Sequence, residues 1–254
     1  MKARQRSSTL PWTPQLGSKQ RKTVSLSDSM MNHTHAKHDR LWEMIDDAQA
    51  ESDHAKANSI YCDAEQLARH LHEAEPNGAE HCYAIALTYY YRWGTQHERC
   101  KCIDWLRKTE ELDPTHPWVP LYLGYQFMDE KRYAEAYAEF DRVNQDYFAS
   151  RELHWRNIKT DELMIVALIL GGSSLVDFAV LVHLADRYAE AASIDQPVPT
   201  EIVKALADSA NRERFTVPAE RVASEVCRLI RACGDVNVFS DELAALDSAA
   251  KAVG

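Results

Sequence analysis

The sequence contains few residues that end helices and no long apolar segment. Across 254 residues there are only 8 glycines and 9 prolines. The longest unbroken apolar run, Leu163 to Leu170, has 8 residues, whereas a helix that crosses a bilayer needs about 20. The sequence therefore predicts no transmembrane helix and no membrane partner. Because convincing alternation of apolar and polar residues is also missing, it favours an all-α fold.

The sequence also lacks the short motifs that mark common enzyme classes. It has no GxxxxGK[ST], GxGxxG, GxSxG or HExxH motif, each of which places particular groups around a phosphate, a substrate or a metal. Its six cysteines, at positions 62, 82, 100, 102, 227 and 233, lack the density of a disulfide framework and indicate a reducing, cytoplasmic compartment. We expect no catalytic residues and no cofactor; an enzyme of an unrecognised type is the alternative.

Two groups of potential metal ligands occur, and neither predicts a metal site. His97, Cys100 and Cys102 fall within six residues, but residues two apart on a helix point in different directions, and a structural zinc needs about four ligands. The three histidines between His33 and His38 lie in a polar segment, where clustered histidine is usually only polar. We therefore predict that the chain holds no metal.

The formal charge of −10 is unevenly distributed along the chain. Acidic residues are missing before Asp28, so residues 1–30 carry +5 and the remainder carries −15. An acidic body argues against nucleic acid and makes a basic protein segment the easier partner, although ordinary solubility accounts for the same charge. Arg221, Arg228 and Arg231 share one broad helix face, but two glutamates interrupt it, which is typical of a solvated face.

An ordered pattern of large and small residues runs from Trp118 to Tyr147. In chain order it reads Leu123-Gly124, Phe127, the polar turn Asp129 to Arg132, Ala136 and Phe140. The pattern predicts two helices joined by a short turn. Gly and Ala lie where the two helix backbones would come closest.

The same residue classes recur at fixed offsets earlier in the chain. Thirty-four residues before Ala136, Phe140 and Val143 stand Cys102, Leu106 and Thr109. Thirty-eight residues before Gly124, Phe127, Cys102 and Pro114 stand Ala86, Tyr89, Ala64 and Pro76. A single four-residue insertion between Tyr89 and Cys102 reconciles the two offsets.

This pattern resembles the tetratricopeptide repeat over roughly residues 40 to 150. It departs from the family where Pro120 replaces the usual Trp, Thr109 replaces a small apolar residue and Ala68 replaces a large one. The resemblance implies an α-solenoid of antiparallel helix hairpins with a concave side that faces the ligand. It implies binding rather than chemistry.

The sequence predicts three parts. Residues 1–37 form a basic tail without a helical period and are expected to be disordered; a transit peptide, or a start of translation at Met30 or Met31, is the alternative. Residues 38–150 hold the repeats, and residues 151–254 are divergent helical hairpins that continue the stack. The helices expected in this last part are 151–170, 175–193, 200–212, 219–233 and 241–253.

The repeat register also predicts which side chains face the concave groove. It selects Tyr83, Leu87, Tyr90, Tyr91, Trp118, Leu121, Tyr125, Met128 and Asp129. Aromatic side chains supply a large contact area at a low entropic cost, which favours them at binding surfaces. Packing of these rings under the tail or under the C-terminal half is the alternative.

The resemblance thus implies a non-enzymatic, cytoplasmic scaffold or adaptor that binds a protein or peptide segment in its groove. The alternative is an inhibitor of the immunity or antitoxin type, whose acidic helical surface covers a basic partner protein. Both interpretations predict a protein partner and exclude nucleic acid, and both leave the oligomeric state open.

Overall fold

Helices dominate the computed structural model of the chain, which describes residues 26–92, 96–172, 175–191, 197–233 and 236–251. They are α1 (Leu26–Ala50), α2 (His54–Ala74), α3 (Ala79–Tyr91), α4 (Gln96–Leu112), α5 (Val119–Asp129), α6 (Tyr133–Asp141), α7 (Gln145–Ala149), α8 (His154–Gly171), α9 (Phe178–Glu190), α10 (Thr200–Ala207), α11 (Ser209–Arg212), α12 (Ala219–Ala232) and α13 (Ser240–Lys251). A 3-10 turn, Val236–Phe239, precedes α13. Within these ranges an isolated bridge between Val176 and Phe215 is the only strand-like pairing. The predicted all-α class is confirmed.

No helix in the described ranges combines the length and the apolar character that a bilayer crossing demands. The helices form two compact units that divide between Val119 and Pro120. In the first unit, α2 packs against α1 and α3, and α3 packs against α4. In the second, α8 packs against α6, α7, α9 and α10, while α12 packs against α9 and α13. The predicted boundary at residue 150 falls inside the second unit, because α6 and α7 precede it and pack on α8.

The first helix starts earlier than the sequence pattern predicts. We expected a helix from residue 38, but α1 begins at Leu26. Neither glycine nor proline occurs between residues 26 and 37, so nothing in the backbone opposes continuation of the helix toward the N-terminus. The part of the predicted tail that precedes Leu26 lies outside the described residues.

The single helix predicted over residues 200–212 is divided at Asp208. The Asp208 carboxylate accepts a hydrogen bond of 3.0 Å from the backbone N–H of Ala210, and its backbone is extended. An N-cap residue takes this conformation because its side chain satisfies an N–H group that the first turn leaves unpaired. The Arg212 guanidinium then donates to the carbonyl oxygens of Leu206 and Ala207, at 2.6 and 2.9 Å, where α10 ends.

A buried carboxylate fixes the start of α10 within the second unit. Glu162 of α8 is fully buried and accepts four hydrogen bonds. The donors are Lys159 Nζ at 2.6 Å, Tyr188 Oη at 2.8 Å and the backbone N–H groups of Glu201 and Ile202, both at 2.9 Å. The carboxylate thus caps α10 from a neighbouring helix. Burial, together with the adjacent Glu162 charge, raises the pKa of Tyr188 far above its usual range.

The predicted close approach between α5 and α6 is present at Gly124. A Cβ atom on Gly124 would lie 2.4 Å from Cε1 and 2.6 Å from Cδ1 of Phe140, and Phe140 is only 1% exposed. The other positions that the repeat register assigns to packing are buried too: Ala64, Ala86, Tyr89, Cys102, Leu106, Phe127 and Ala136. The small residues therefore lie in the interior, as the pattern predicts.

Candidate functional site

Four of the nine residues predicted to face a partner are buried. Tyr83, Leu87, Trp118 and Leu121 have exposures of 5%, 5%, 6% and 0%. Trp42 covers the Tyr83 ring on one side, at 6.1 Å between ring centroids, and His116 packs on it at 4.5 Å. Side chains in such positions stabilise the fold, and a partner reaches them only if the structure opens locally.

Tyr125 and Met128 are half-buried, and their surroundings belong to the second unit. The Tyr125 ring makes T-shaped contacts with the rings of Tyr122 and Phe140, with ring centroids 5.9 and 5.8 Å apart. Burial raises the pKa of its hydroxyl to about 12. Met128 packs against the apolar core formed by α8, α9, α10 and α12. Asp129, at the end of α5, is the one member of the predicted set that is exposed.

Two aromatic residues of the predicted set, Tyr90 and Tyr91, are half-buried in the first unit. They lie at the C-terminal end of α3. We call them the tyrosine pair. The Tyr91 ring stacks on the buried ring of Tyr61, with centroids 5.8 Å apart and planes inclined by 11°. Tyr90 meets Tyr91 edge to face at 5.0 Å. Both rings are therefore held in place before any partner arrives.

Glu65 of α2 joins the end of α3 to α2 just beside this stack. Its carboxylate accepts hydrogen bonds from Arg69 Nε at 2.8 Å, Tyr89 Oη at 2.5 Å and Arg92 Nη2 at 2.5 Å. Arg92 also donates to the carbonyl oxygen of Tyr61 at 3.1 Å. Burial alone would raise the pKa of Glu65, but the hydrogen bonds from Tyr89, Arg69 and Arg92 and the Arg92 charge hold it below its usual value.

A group of cations and aromatic rings from α2, α3 and α4 forms a feature that the sequence analysis missed. Arg69 and Lys108 lie over the Trp105 ring, at 5.1 and 4.9 Å from its centroid. Arg92 and Lys101 lie over the Tyr89 ring, at 5.2 and 5.4 Å. We call these six residues the basic-aromatic cluster. Helical spacing places Lys101, Trp105 and Lys108 on one face of α4, so half of the cluster had a signal in the sequence.

Three neighbouring side chains, Cys82, His72 and Lys108, resemble the arrangement of an activated nucleophile. His72 Nδ1 lies 3.5 Å from the Cys82 sulfur, and Lys108 Nζ lies 2.9 Å from His72 Nε2. A reactive cysteine needs access and a lowered pKa. Cys82 is fully buried, and burial raises the pKa of its thiol, while burial and then the Lys108 charge lower the pKa of His72. These three side chains therefore provide packing and hydrogen bonding rather than a nucleophile.

A second histidine group joins α1 and α3 to the segment between α4 and α5. From that segment, His116 is buried, with Nε2 3.6 Å from Glu80 Oε1. That contact, opposed by burial, lowers the pKa of Glu80. His81 is also buried, its ring lies 5.8 Å from that of His38, and burial lowers its pKa. In the residues described here, no three His, Cys, Asp or Glu side chains converge on a possible metal position.

In the second unit, a shallow depression of about 490 Å³ lies between α9 and α12. Its lining mixes Phe178 and Val182 with Asp177, Asp186 and Arg221. The arginine face of α12 that the sequence indicated borders this depression through Arg221, which lies over the Phe178 ring at 4.9 Å, and its other two arginines pair with acids. Arg228 donates to Asp186 at 2.8 Å and also bonds Glu225, and Arg231 donates to Asp247 at 2.7 Å. These pairs are typical of a solvated face.

Comparison of the chain with protein-family models, with curated proteins and with solved structures finds no match. The resemblance to the tetratricopeptide repeat therefore stays a prediction from the residue pattern.

Proposed function

We propose that this chain is a non-enzymatic interaction scaffold, an α-solenoid adaptor of the cytoplasm that binds a protein or peptide segment. The observation that carries the proposal is the tyrosine pair. Two half-buried rings stand side by side at the end of α3, and the stack of Tyr91 on Tyr61 fixes their orientation. Rigid aromatic rings at a partly exposed edge are what a binding surface uses as anchors.

The packing of the helices supports the solenoid part of the proposal. In the first unit, helices that follow one another in the chain pack on one another in the same order. Small residues lie at close approaches between helices, most clearly Gly124 against Phe140. Both features are expected of stacked helix hairpins.

The tyrosine pair is suited to binding because little freedom is lost when a partner covers it. Ordering a mobile side chain at an interface costs about 0.5–1.5 kcal/mol, and the edge-to-face and stacked contacts have already ordered these two rings. Truncation of an aromatic anchor costs about 2 kcal/mol or more, which is roughly thirtyfold in affinity. The net charge of −10 favours a partner segment with basic residues beside its apolar anchor.

The experiment compares partner capture by three purified proteins in lysate of the native host. They are the wild type, Y90A/Y91A and the control Y133A/Y137A, which removes two half-buried tyrosines from α6 in the second unit. We expect mass spectrometry to identify a partner that the wild type and the control retain and Y90A/Y91A loses. Thermal melting checks that each variant is folded.

Two results would overturn the proposal. Retention of every partner by folded Y90A/Y91A would place binding elsewhere, and unfolding of that variant would make the two rings part of the core. Capture of one strongly basic partner, unaffected by Y90A/Y91A, would instead support the inhibitor function that the acidic charge suggests.

A further inference from the structure

We infer that the basic-aromatic cluster on α2, α3 and α4 is a docking surface for an acidic peptide segment. This inference goes beyond the proposed function, because it concerns other side chains than the tyrosine pair. It also concerns an acidic ligand, whereas the net charge of the whole chain favours a basic one. It rests on the local balance of charge, on the hydrogen-bond donors that the cluster leaves unused and on the fixed positions of its cations.

The cluster has a local excess of positive charge in a chain whose net charge is −10. Four cations lie over two aromatic rings. The Glu65 carboxylate forms ion pairs with two of these cations, Arg69 and Arg92. Lys101 and Lys108 have no carboxylate within ion-pair distance in the part of the chain that the structure describes. Lys108 instead contacts His72 and Trp105, and Lys101 contacts the Tyr89 ring.

The cations of the cluster retain hydrogen-bond donors for a ligand. Arg69 uses Nε toward Glu65 and Nη2 toward Tyr89, which leaves three of the five N–H donors of a guanidinium. Its side chain is 40% exposed. Lys108 uses one of three ammonium donors, toward His72. Carboxylate oxygens accept from such groups in short, charge-assisted hydrogen bonds.

The geometry of the cluster holds these donors in place. The Trp105 indole contacts both Arg69 and Lys108, and Glu65 and Tyr89 fix the guanidinium of Arg69 from α2 and α3. Cations that lie against a ring keep their charge while losing mobility. A ligand therefore meets an ordered positive surface, and less entropy is lost on binding than with free lysine chains.

The size and surroundings of the cluster favour a short peptide over a nucleic acid. The exposed acids Glu73 and Asp104 flank it on α2 and α4. Nucleic-acid binding draws its affinity from many phosphate contacts along an extended basic surface, which the acids interrupt. A segment with a few Asp or Glu side chains can place its carboxylates on the half-buried Arg69, Lys101 and Lys108, while Arg92, whose side chain is 13% exposed, adds positive charge from below.

The test measures binding of a fluorescein-labelled hexaglutamate peptide by fluorescence anisotropy in low salt. We expect K101E/K108E to weaken binding by roughly tenfold or more, because close interface charges act strongly on affinity and like charges repel. The control K56E/K204E changes the net charge by the same amount at two exposed lysines outside the cluster and is expected to bind within roughly twofold of the wild type. Raising NaCl to about 0.5 M should weaken the wild-type complex, since salt screens exposed charges.

Circular dichroism verifies that the variants are folded. If K101E/K108E does not fold, the measurement is made with K101Q/K108Q, which removes the two charges without reversing them. The inference is overturned if the wild type does not bind the peptide, or if the cluster and control variants weaken binding equally. Oligothymidylate is the second probe. If it binds at the cluster and the peptide does not, the occupant is a nucleic acid and the inference is wrong.

Discussion

Replacing Gly124 by alanine tests the close approach of α5 and α6 with the smallest possible change. In the interior of an exposed helix, Gly→Ala stabilises by up to about 1 kcal/mol, because glycine is the poorer helix former. At Gly124 the added Cβ would lie 2.4, 2.6 and 2.8 Å from three atoms of the Phe140 ring. Contacts under 3.0 Å require a shift, and Phe140, 1% exposed, has no solvent to move into.

The expected effect of Gly124→Ala is therefore a loss of stability. Overpacking of a core typically costs about 1–3 kcal/mol, which exceeds the gain in helix propensity. For a chain of this size each kcal/mol corresponds to about 2–4 °C in Tm. We expect Gly124→Ala to lower the Tm by several degrees and Gly124→Leu, with its larger side chain, to lower it further.

A double-mutant cycle read by circular dichroism separates this contact from a general effect of the substitution. Phe140→Leu removes ring atoms that the new Cβ would meet, so Gly124→Ala should cost less in the Phe140→Leu background than in the wild type. Residues in contact typically show coupling energies of about 0.5–3 kcal/mol. A Tm of Gly124→Ala at or above that of the wild type, or an equal effect in both backgrounds, would refute the reasoning.

Three further predictions concern the buried Glu162 and His81 and the half-buried Glu65. Glu162→Ala should lower the free energy of unfolding in urea by about 3–5 kcal/mol, because it leaves Lys159 without its carboxylate. The control Glu201→Ala removes a half-exposed carboxylate and should cost less than about 1 kcal/mol. Equal costs for the two variants would contradict the capping role of Glu162. The folded pKa of Glu65 is lowered, so its stabilisation is present above the ordinary value of 4.5 and is lost as the pH falls through the folded value. Glu65→Gln should therefore show a shallower acid loss of stability than the wild type, and an unchanged slope would count against it. The folded pKa of His81 is lowered from 6.5, so below that pH the unfolded chain binds a proton that the folded chain does not. The fall in Tm from pH 7 to pH 5 should be smaller in His81→Gln than in the wild type, and an equal or larger fall would show that His81 is not the group that titrates.

Residue chemistry near each position determines several helix ends, and the predicted start of the helix at residue 219 is one of them. α12 starts at Ala219, directly after Pro218, and in the same way Pro76-Asn77-Gly78 separates α2 from α3 and α4 ends at Leu112 before Asp113-Pro114. The small residues of the repeat pattern were also predicted to be buried, because their spacing follows one helix face. These features need only the chain near each residue.

The candidate site depended on contacts between residues far apart in the chain, which spacing alone does not encode. Helical register placed Tyr83 and Tyr90 on the same broad side of α3, yet Trp42 and His116 cover Tyr83. The basic-aromatic cluster takes residues from three helices, and only its α4 members share a periodic signal. The start of α1 was missed because polar residues without a periodic apolar face gave no helical signal.

The central claim, that a protein partner binds at the tyrosine pair, is tested most directly by site-specific photocrosslinking in the native host. A benzophenone amino acid replaces Tyr90 in one protein and Tyr137, a half-buried tyrosine of α6, in the control. Irradiation should yield a protein adduct from position 90 and none of the same mass from position 137. Adducts from position 137 alone, or from neither position, would contradict the account.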